Sequence, residues 1–458
     1  LALTGSLSMI FVDLTVTAVA GPKIAVDLGL SPTGVAWIAN AYMVALAAAM
    51  AIGGRLGDIF GKRSMFLTGI VGFAGASALC GMATSYELLI VGRVLQGLSA
   101  CLMQPASSAL VIETFPQGER GRAMGVYIGV SMSFFAIGPV LGGLLAEYAG
   151  WRWVFFINLP IALAAIALIF AARTPNRRAT DRSLDIPSAL LLAVGLPLAI
   201  YALQEGAETD SATQRMRLFD PRFGVMLAVG AALCVLFVWR QWRVRRPLVQ
   251  LSFLTAPQLR ANVILIGLMQ FAMASLVVQG AIYAQDVLGY SAAKAGASLM
   301  PMLIPVILVA RRAGKLYDRV GVRPLARFGT VVATLGLTAW GAGSIVVSYG
   351  IIATGMVLLG LGVAFIMSPA NTDTLSGVPD DARGQISGIV QTFRQVGGAV
   401  GVAFAALLAG WSRAEGLSPA TSIGLAILAG AAVASLGIVV AWTMPAKSIE
   451  KIPATLQE

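Results

Sequence analysis

Long apolar runs follow one another along this chain with only short polar turns between them. Fourteen candidate helices can be drawn, at about 3–22, 34–55, 64–83, 86–112, 122–147, 152–172, 185–204, 222–240, 261–283, 294–312, 324–345, 349–371, 385–410 and 420–443. A helix needs roughly 20 apolar residues to cross a bilayer, and in lipid its backbone groups must be paired internally. The chain therefore reads as an all-α polytopic membrane protein. The runs are continuous rather than alternating at period two, which excludes an outer-membrane barrel. Apolar residues make up 58% of the chain and charged ones 12%, against about 25% charge in a soluble domain. A soluble enzyme, a disordered chain and a disulfide scaffold are excluded on that ground.

The remaining charges are sorted by side. With the turn after the second span in the cytoplasm, 23 of the 32 Lys and Arg fall on that side and seven on the other. The last two, Arg93 and Arg394, lie inside spans. The compactness of the chain suggests a bacterial inner (plasma) membrane, and this asymmetry predicts an even number of spans with both termini in the cytoplasm. It also accounts for the net charge of +11 without nucleic acid. His is absent, so proton handling near neutral pH falls to carboxylates. Cys80, Cys101 and Cys234 sit in apolar runs and read as small buried hydrophobes rather than a metal or disulfide set. No phosphate-binding glycine loop occurs, so ATP is not the direct drive, and no cofactor or metal is implied. The chain starts at Leu1 inside an apolar run. We expect the native N-terminus upstream and the first span to act as a signal anchor.

Two segments recur. Gly54-Arg-Leu-Gly-Asp58-Ile-Phe-Gly61-Lys-Arg63 returns at an offset of 260 as Gly314-Lys-Leu-Tyr-Asp318-Arg-Val-Gly321-Val-Arg323. Pro116-Gln-Gly-Glu-Arg120-Gly121 returns at an offset of 263 as Pro379-Asp-Asp-Ala-Arg383-Gly384. Both pairs fall between equivalent spans of two halves. The expected organisation is a six-helix bundle over 1–172, a linker with two inserted helices over 173–260, a second six-helix bundle over 261–443, and a cytoplasmic tail over 444–458. Parallel repeats of this kind place a substrate path between the halves and operate by alternating access.

These residues resemble the major facilitator superfamily. The Gly54 to Arg63 segment looks like its signature loop between the second and third helices, and Arg93-x-x-Gln96-Gly97 like a second signature. Gly138-Pro139-x-x-Gly142-Gly143 looks like the motif of the antiporter branch. Phe11-x-Asp13-x-Thr15-Val16 and Trp151-Arg-Trp-x-Phe-Phe-Ile-Asn-Leu-Pro160 resemble the fourteen-helix drug:proton antiporters. The resemblance covers essentially the whole chain. It departs at Ala18-Val-Ala-Gly21-Pro22 and at Val322, where Lys or Arg is usual.

Asp13 lies about ten residues into the first span, where a charge costs roughly 2.5–3.5 kcal/mol on insertion scales. Such a carboxyl is suited to taking up and releasing a proton, or to pairing with Arg93. Arg keeps its own proton, so Arg93 can only tune the carboxyl or order water; the resemblance implies a part in proton transfer. Asp373 is a second proton-coupling candidate. Asp58, Arg63, Arg120 and Asp318 are expected to form a conformational latch. Pro139 removes a helix hydrogen bond, and Gly138, Gly142 and Gly143 permit close helix approach, as a gate or as plain packing. Candidate substrate contacts are Trp37, Tyr42, Gln104, Gln270, Tyr283, Asn371, Gln391 and Arg394.

The expected activity is proton-coupled efflux of hydrophobic or cationic small molecules. The expected partners are a small-molecule substrate, the proton and the lipid bilayer, with no nucleic acid; a monomer is compatible with the sequence, which does not set the oligomeric state. Lipid, amphiphile or metabolite export on the same fold is the alternative, and a non-transporting receptor a weaker one. An enzyme is not expected, since there is no nucleophile beside a base and no cluster of metal ligands.

Overall fold

The computed structural model describes residues 2–30, 32–172, 176, 183–206, 220–244 and 247–445. Among them lie fourteen helices of nineteen residues or more and no strand. The first half holds α1 (Ala2–Leu28), α2 (Pro32–Phe60), α3 (Lys62–Gly81), α4 (Tyr86–Thr114), α5 (Arg120–Leu144) and α6 (Trp153–Ala171, broken at Ile157). Then come α7 (Ile186–Gly206) and α8 (Pro221–Arg243). The second half holds α9 (Pro257–Asp286), α10 (Met300–Val320), α11 (Val322–Ile345), α12 (Tyr349–Ser376), α13 (Arg383–Ala414) and α14 (Pro419–Thr443). Eleven of these are long and apolar enough to cross a membrane. The C-terminal half of α10 carries Arg311, Arg312, Lys315, Asp318 and Arg319, which keeps it out of that number.

Local chemistry sets the helix ends. The Ser85 hydroxyl accepts from the Leu88 N–H and Asp220 from the Arg222 N–H, each capping a helix start, and α8, α9 and α14 begin with proline. Both copies of the repeated turn end their helix at a glycine with positive φ, Gly61 at 95° and Gly321 at 76°. A side chain there would be strained, which explains why this position recurs as glycine.

The halves pack by the same pattern. α1 lies on α5 and α9 on α13; α2 on α4 and α10 on α12; α3 on α4 and α11 on α12. Between halves, α5 meets α10 and α2 meets α13. Glycines carry both crossings. A Cβ on Gly314 would lie 2.0 Å from the Gly121 carbonyl oxygen, and one on Gly54 would lie 2.4 Å from that of Gly384. The inserted α7 packs on α8 and reaches α2 and α13. Only 11% of the apolar stretch of α8 is buried, so its face is left for lipid.

Candidate coupling site and central chamber

Asp13 and Arg93 meet inside the first bundle with no side-chain exposure on either. The Arg93 Nη1 donates to Asp13 Oδ2 at 2.6 Å and to Gln96 Oε1 at 2.8 Å, while its Nε donates to the Ile38 carbonyl at 2.7 Å. Gln96 Nε2 donates to Asp13 Oδ1 at 3.1 Å and to Ser77 Oγ at 2.8 Å. Asn158 Nδ2 reaches the same carboxylate oxygen at 3.5 Å and Ser77 Oγ at 3.3 Å. The guanidinium stacks 4.7 Å from the Tyr42 ring centroid. The carboxylate on α1 is thus met by polar side chains from α4 and α6, which Ser77 on α3 ties together. Two α5 glycines, Gly138 and Gly142, pack closely against α1. A Cβ on Gly138 would strike Thr15 Oγ1 at 1.8 Å, and one on Gly142 the Val16 Cα at 2.8 Å. Pro139 falls outside the described side chains.

At the basic end the two repeats make matching contacts. Asp58 accepts from the Gly384 N–H at 2.8 Å and the Gln385 N–H at 2.6 Å. Asp318 accepts from the Gly121 N–H at 2.9 Å and the Arg122 N–H at 3.0 Å. Each carboxylate therefore caps the opening turn of a helix in the opposite bundle, where anions are favoured. Of the basic residues expected beside them, Arg63 lies over the Phe170 ring at 5.3 Å, and Arg120 Nε donates to the Phe115 carbonyl at 3.2 Å. Lys62 stands beside Asp58: its Nζ is 3.0 Å from Asp58, 3.0 Å from Glu113 and 2.9 Å from the Asp380 carbonyl.

The second half lacks that cation. Adding the offset of 260 carries Lys62 to Val322 and Glu113 to Asp373. Asp373 is buried and held by neutral donors: Asn262 Nδ2 at 2.7 Å, Gln258 Nε2 at 3.2 Å and Tyr317 Oη at 3.2 Å. At the other end of the molecule, Asp27 accepts from Trp151 Nε1 and Arg152 Nη1, both at 2.9 Å. The indole and then the guanidinium hold its carboxyl below the usual 3.8. This contact therefore contributes at neutral pH and is lost as the pH falls through that lowered value.

Between the bundles is a chamber of about 20 Å³, lined by Leu7, Ile128, Met132, Gln270, Met273, Val306, Ala310, Val363, Ala364, Met367, Ser368, Asn371 and Arg394. That is room for about one water. Four of the expected substrate contacts converge around Arg394. Its Nε donates to Gln270 Oε1 at 3.2 Å and its Nη1 to Gln391 Oε1 at 3.4 Å. Gln104 Nε2 reaches the same Gln391 oxygen from the first bundle at 3.5 Å. Asn371 lines the wall and donates to the Met367 carbonyl at 2.7 Å. The other three lie elsewhere. Trp37 packs on Tyr201, centroids 5.3 Å apart, at an outer groove between α2, α4 and α7. Tyr283 donates to the Ser344 carbonyl at 3.0 Å inside the second bundle. Tyr42 belongs to the Arg93 site. The sequence reading missed Ser77, Asn158, Lys62 and Glu113 as site residues. Asn158 had a visible signal as the lone amide of the Trp151–Pro160 motif.

The comparisons with known proteins agree with this architecture. A family model described as Major Facilitator Superfamily matches residues 1–402. The tetracenomycin C resistance and export protein of Streptomyces glaucescens is 34% identical over 414 residues, covering 89% of this chain and 75% of that protein. The puromycin resistance protein pur8 of Streptomyces alboniger is 33% identical, covering 95% and 88%. The multidrug resistance protein Stp of Mycobacterium tuberculosis is 30% identical, covering 88% and 74%. Among solved structures, the proton:xylose symporter XylE has a TM-score of 0.68 at 15% identity, covering 100% of this chain and 98% of that one. The human organic anion transporter MFSD10 has 0.66 at 16%, covering 96% and 98%. At such identities these two speak for the fold. A family match over that much of the length, with resistance and export proteins among the relatives, makes this multi-pass chain a member of the Major Facilitator Superfamily of transporters.

Proposed function

We propose that this protein is a proton-coupled exporter of hydrophobic or cationic small molecules, working by alternating access in a bacterial inner membrane as one of the fourteen-helix drug:proton antiporters. The observation that carries the reading is the fully buried Asp13–Arg93 pair at 2.6 Å. Removing one partner of a buried pair is costly, because the other charge is left uncompensated. Protonation of Asp13 does this reversibly: the neutral carboxyl releases its hold on Arg93, and the cage of Gln96, Ser77 and Asn158 rearranges. Proton binding thereby biases a two-state equilibrium. Resistance and export relatives support the efflux direction.

Asp58 and Asp318 serve as the latch. These four bonds exist only while the basic, cytoplasmic ends of the bundles are together, and hydrogen bonds to a charged group contribute about 1.5–3 kcal/mol each. In the present conformation that end is closed and the chamber is contracted.

The test is transport in proteoliposomes under an imposed pH gradient, comparing the intact protein with Asp13→Asn. Gradient-driven uptake is expected to vanish in the variant while substrate binding persists. Transport that survives the substitution would overturn the assignment and move coupling to Asp373.

A further inference from the structure

We infer that the central chamber selects substrates bearing an anionic oxygen — a carboxylate, a sulfonate or an ionised phenol — on an apolar body, with Arg394 receiving that group. This rests on the exporter reading and narrows its substrate class from hydrophobic or cationic to hydrophobic and acidic.

The two intramembrane arginines have opposite environments. Arg93 is neutralised by Asp13 at 2.6 Å. Arg394 has no carboxylate partner among the described residues; its contacts are two amide oxygens at 3.2 and 3.4 Å and the Phe11 ring at 5.9 Å. It is half-buried and is the only charged residue in the described chamber wall. The rest of that wall is apolar apart from Gln270, Ser368 and Asn371.

A guanidinium carries five N–H donors in a planar fork, and charge inside a membrane normally finds a counter-charge. Two long bonds to neutral oxygens leave most of that capacity unused. An anionic oxygen can take the fork in bidentate fashion, with its apolar body against Met132, Met273 and Met367, which repack around varied shapes. A cation in the same place meets like charge and no acid. The exchange also has a mechanical consequence. Gln391 bonds both Arg394 and, across the bundle boundary, Gln104. An anion that displaces the Gln391 oxygen from Arg394 releases the side chain that Gln104 contacts from the first bundle.

The experiment is equilibrium binding to the purified full chain, read by fluorescence anisotropy with two dyes on one xanthene framework, anionic fluorescein and cationic rhodamine 6G. The intact protein is expected to bind fluorescein at least tenfold more tightly. Arg394→Gln should weaken fluorescein tenfold or more and leave rhodamine unchanged or tighter; Arg394→Lys should restore part of the loss. Preference for rhodamine, binding of neither dye, or equal loss of both dyes in folded Arg394→Gln and Arg394→Lys proteins would each overturn the inference. Should Arg394→Gln fail to fold, competition on the intact protein decides. Naphthalene-2-sulfonate should displace fluorescein, and the matching trimethylammonium compound should not; the reverse order overturns the inference. Binding needs no pH gradient, so failed coupling is seen separately, as retained binding without gradient-driven movement.

Discussion

Lys62 shows at the residue scale how one side chain separates two halves built on the same plan. It is 1% exposed and lies between Asp58 and Glu113, themselves 0% and 1% exposed. Its counterpart Val322 leaves Asp318 and Asp373 to backbone N–H groups and neutral side chains. Lys62→Val would leave two buried carboxylates without their cation. Losing one member of a buried pair costs about 3–5 kcal/mol. A clear drop in melting temperature in detergent is expected, with Lys62→Arg recovering most of it. An unchanged melting curve for Lys62→Val would mean the charges are compensated elsewhere.

At the element scale, the crossings between bundles depend on glycine. Gly314 faces the Gly121 carbonyl so closely that an added methyl has no room, and the obstacle is backbone, which cannot turn aside. Overpacking of that kind costs about 1–3 kcal/mol and forces α10 from α5. Gly314→Ala is therefore expected to weaken the Asp318 bonds to the Gly121 and Arg122 N–H groups and to lower the melting temperature. Gly350→Ala, on α12 with nothing near its Cβ position, is the control and should melt like the parent. Equal behaviour of the two variants would show that this crossing is not tight in solution.

At the scale of the whole molecule, side-chain contacts bridge the halves. Ser108 Oγ on α4 and Ser387 Oγ on α13 are 2.6 Å apart, close to the Gln104–Gln391 contact. A Ser108→Cys, Ser387→Cys pair, made with Cys80, Cys101 and Cys234 replaced, should oxidise to a disulfide and lock the bundles. Turnover in proteoliposomes is expected to stop on oxidation and return with reductant, while each single cysteine variant stays active. Full turnover by the oxidised double variant would mean that the halves need not part here during transport.

The sequence by itself determined that this chain is a multi-span helical membrane protein built from two related halves. Apolar runs, their lengths and the repeated Gly–Asp–Gly turn are local properties that neighbouring segments cannot erase. It also marked Asp13 and Arg93 as unusual, because an intramembrane charge is costly wherever it points. Tertiary structure alone decided which polar groups meet. Ser77 and Asn158 come from distant helices to the Asp13 cage; Glu113, at the end of α4, turns inward to Lys62; Arg63 meets the Phe170 ring and Arg120 the Phe115 carbonyl. Trp37 and Tyr283 leave the chamber, and Arg394 enters it with no acid beside it among the described residues. Those outcomes depend on the rotation of each helix about its axis and on its vertical register against its neighbours. Hydropathy is nearly blind to both when a span is apolar all round, and packing at glycine crossings sets them.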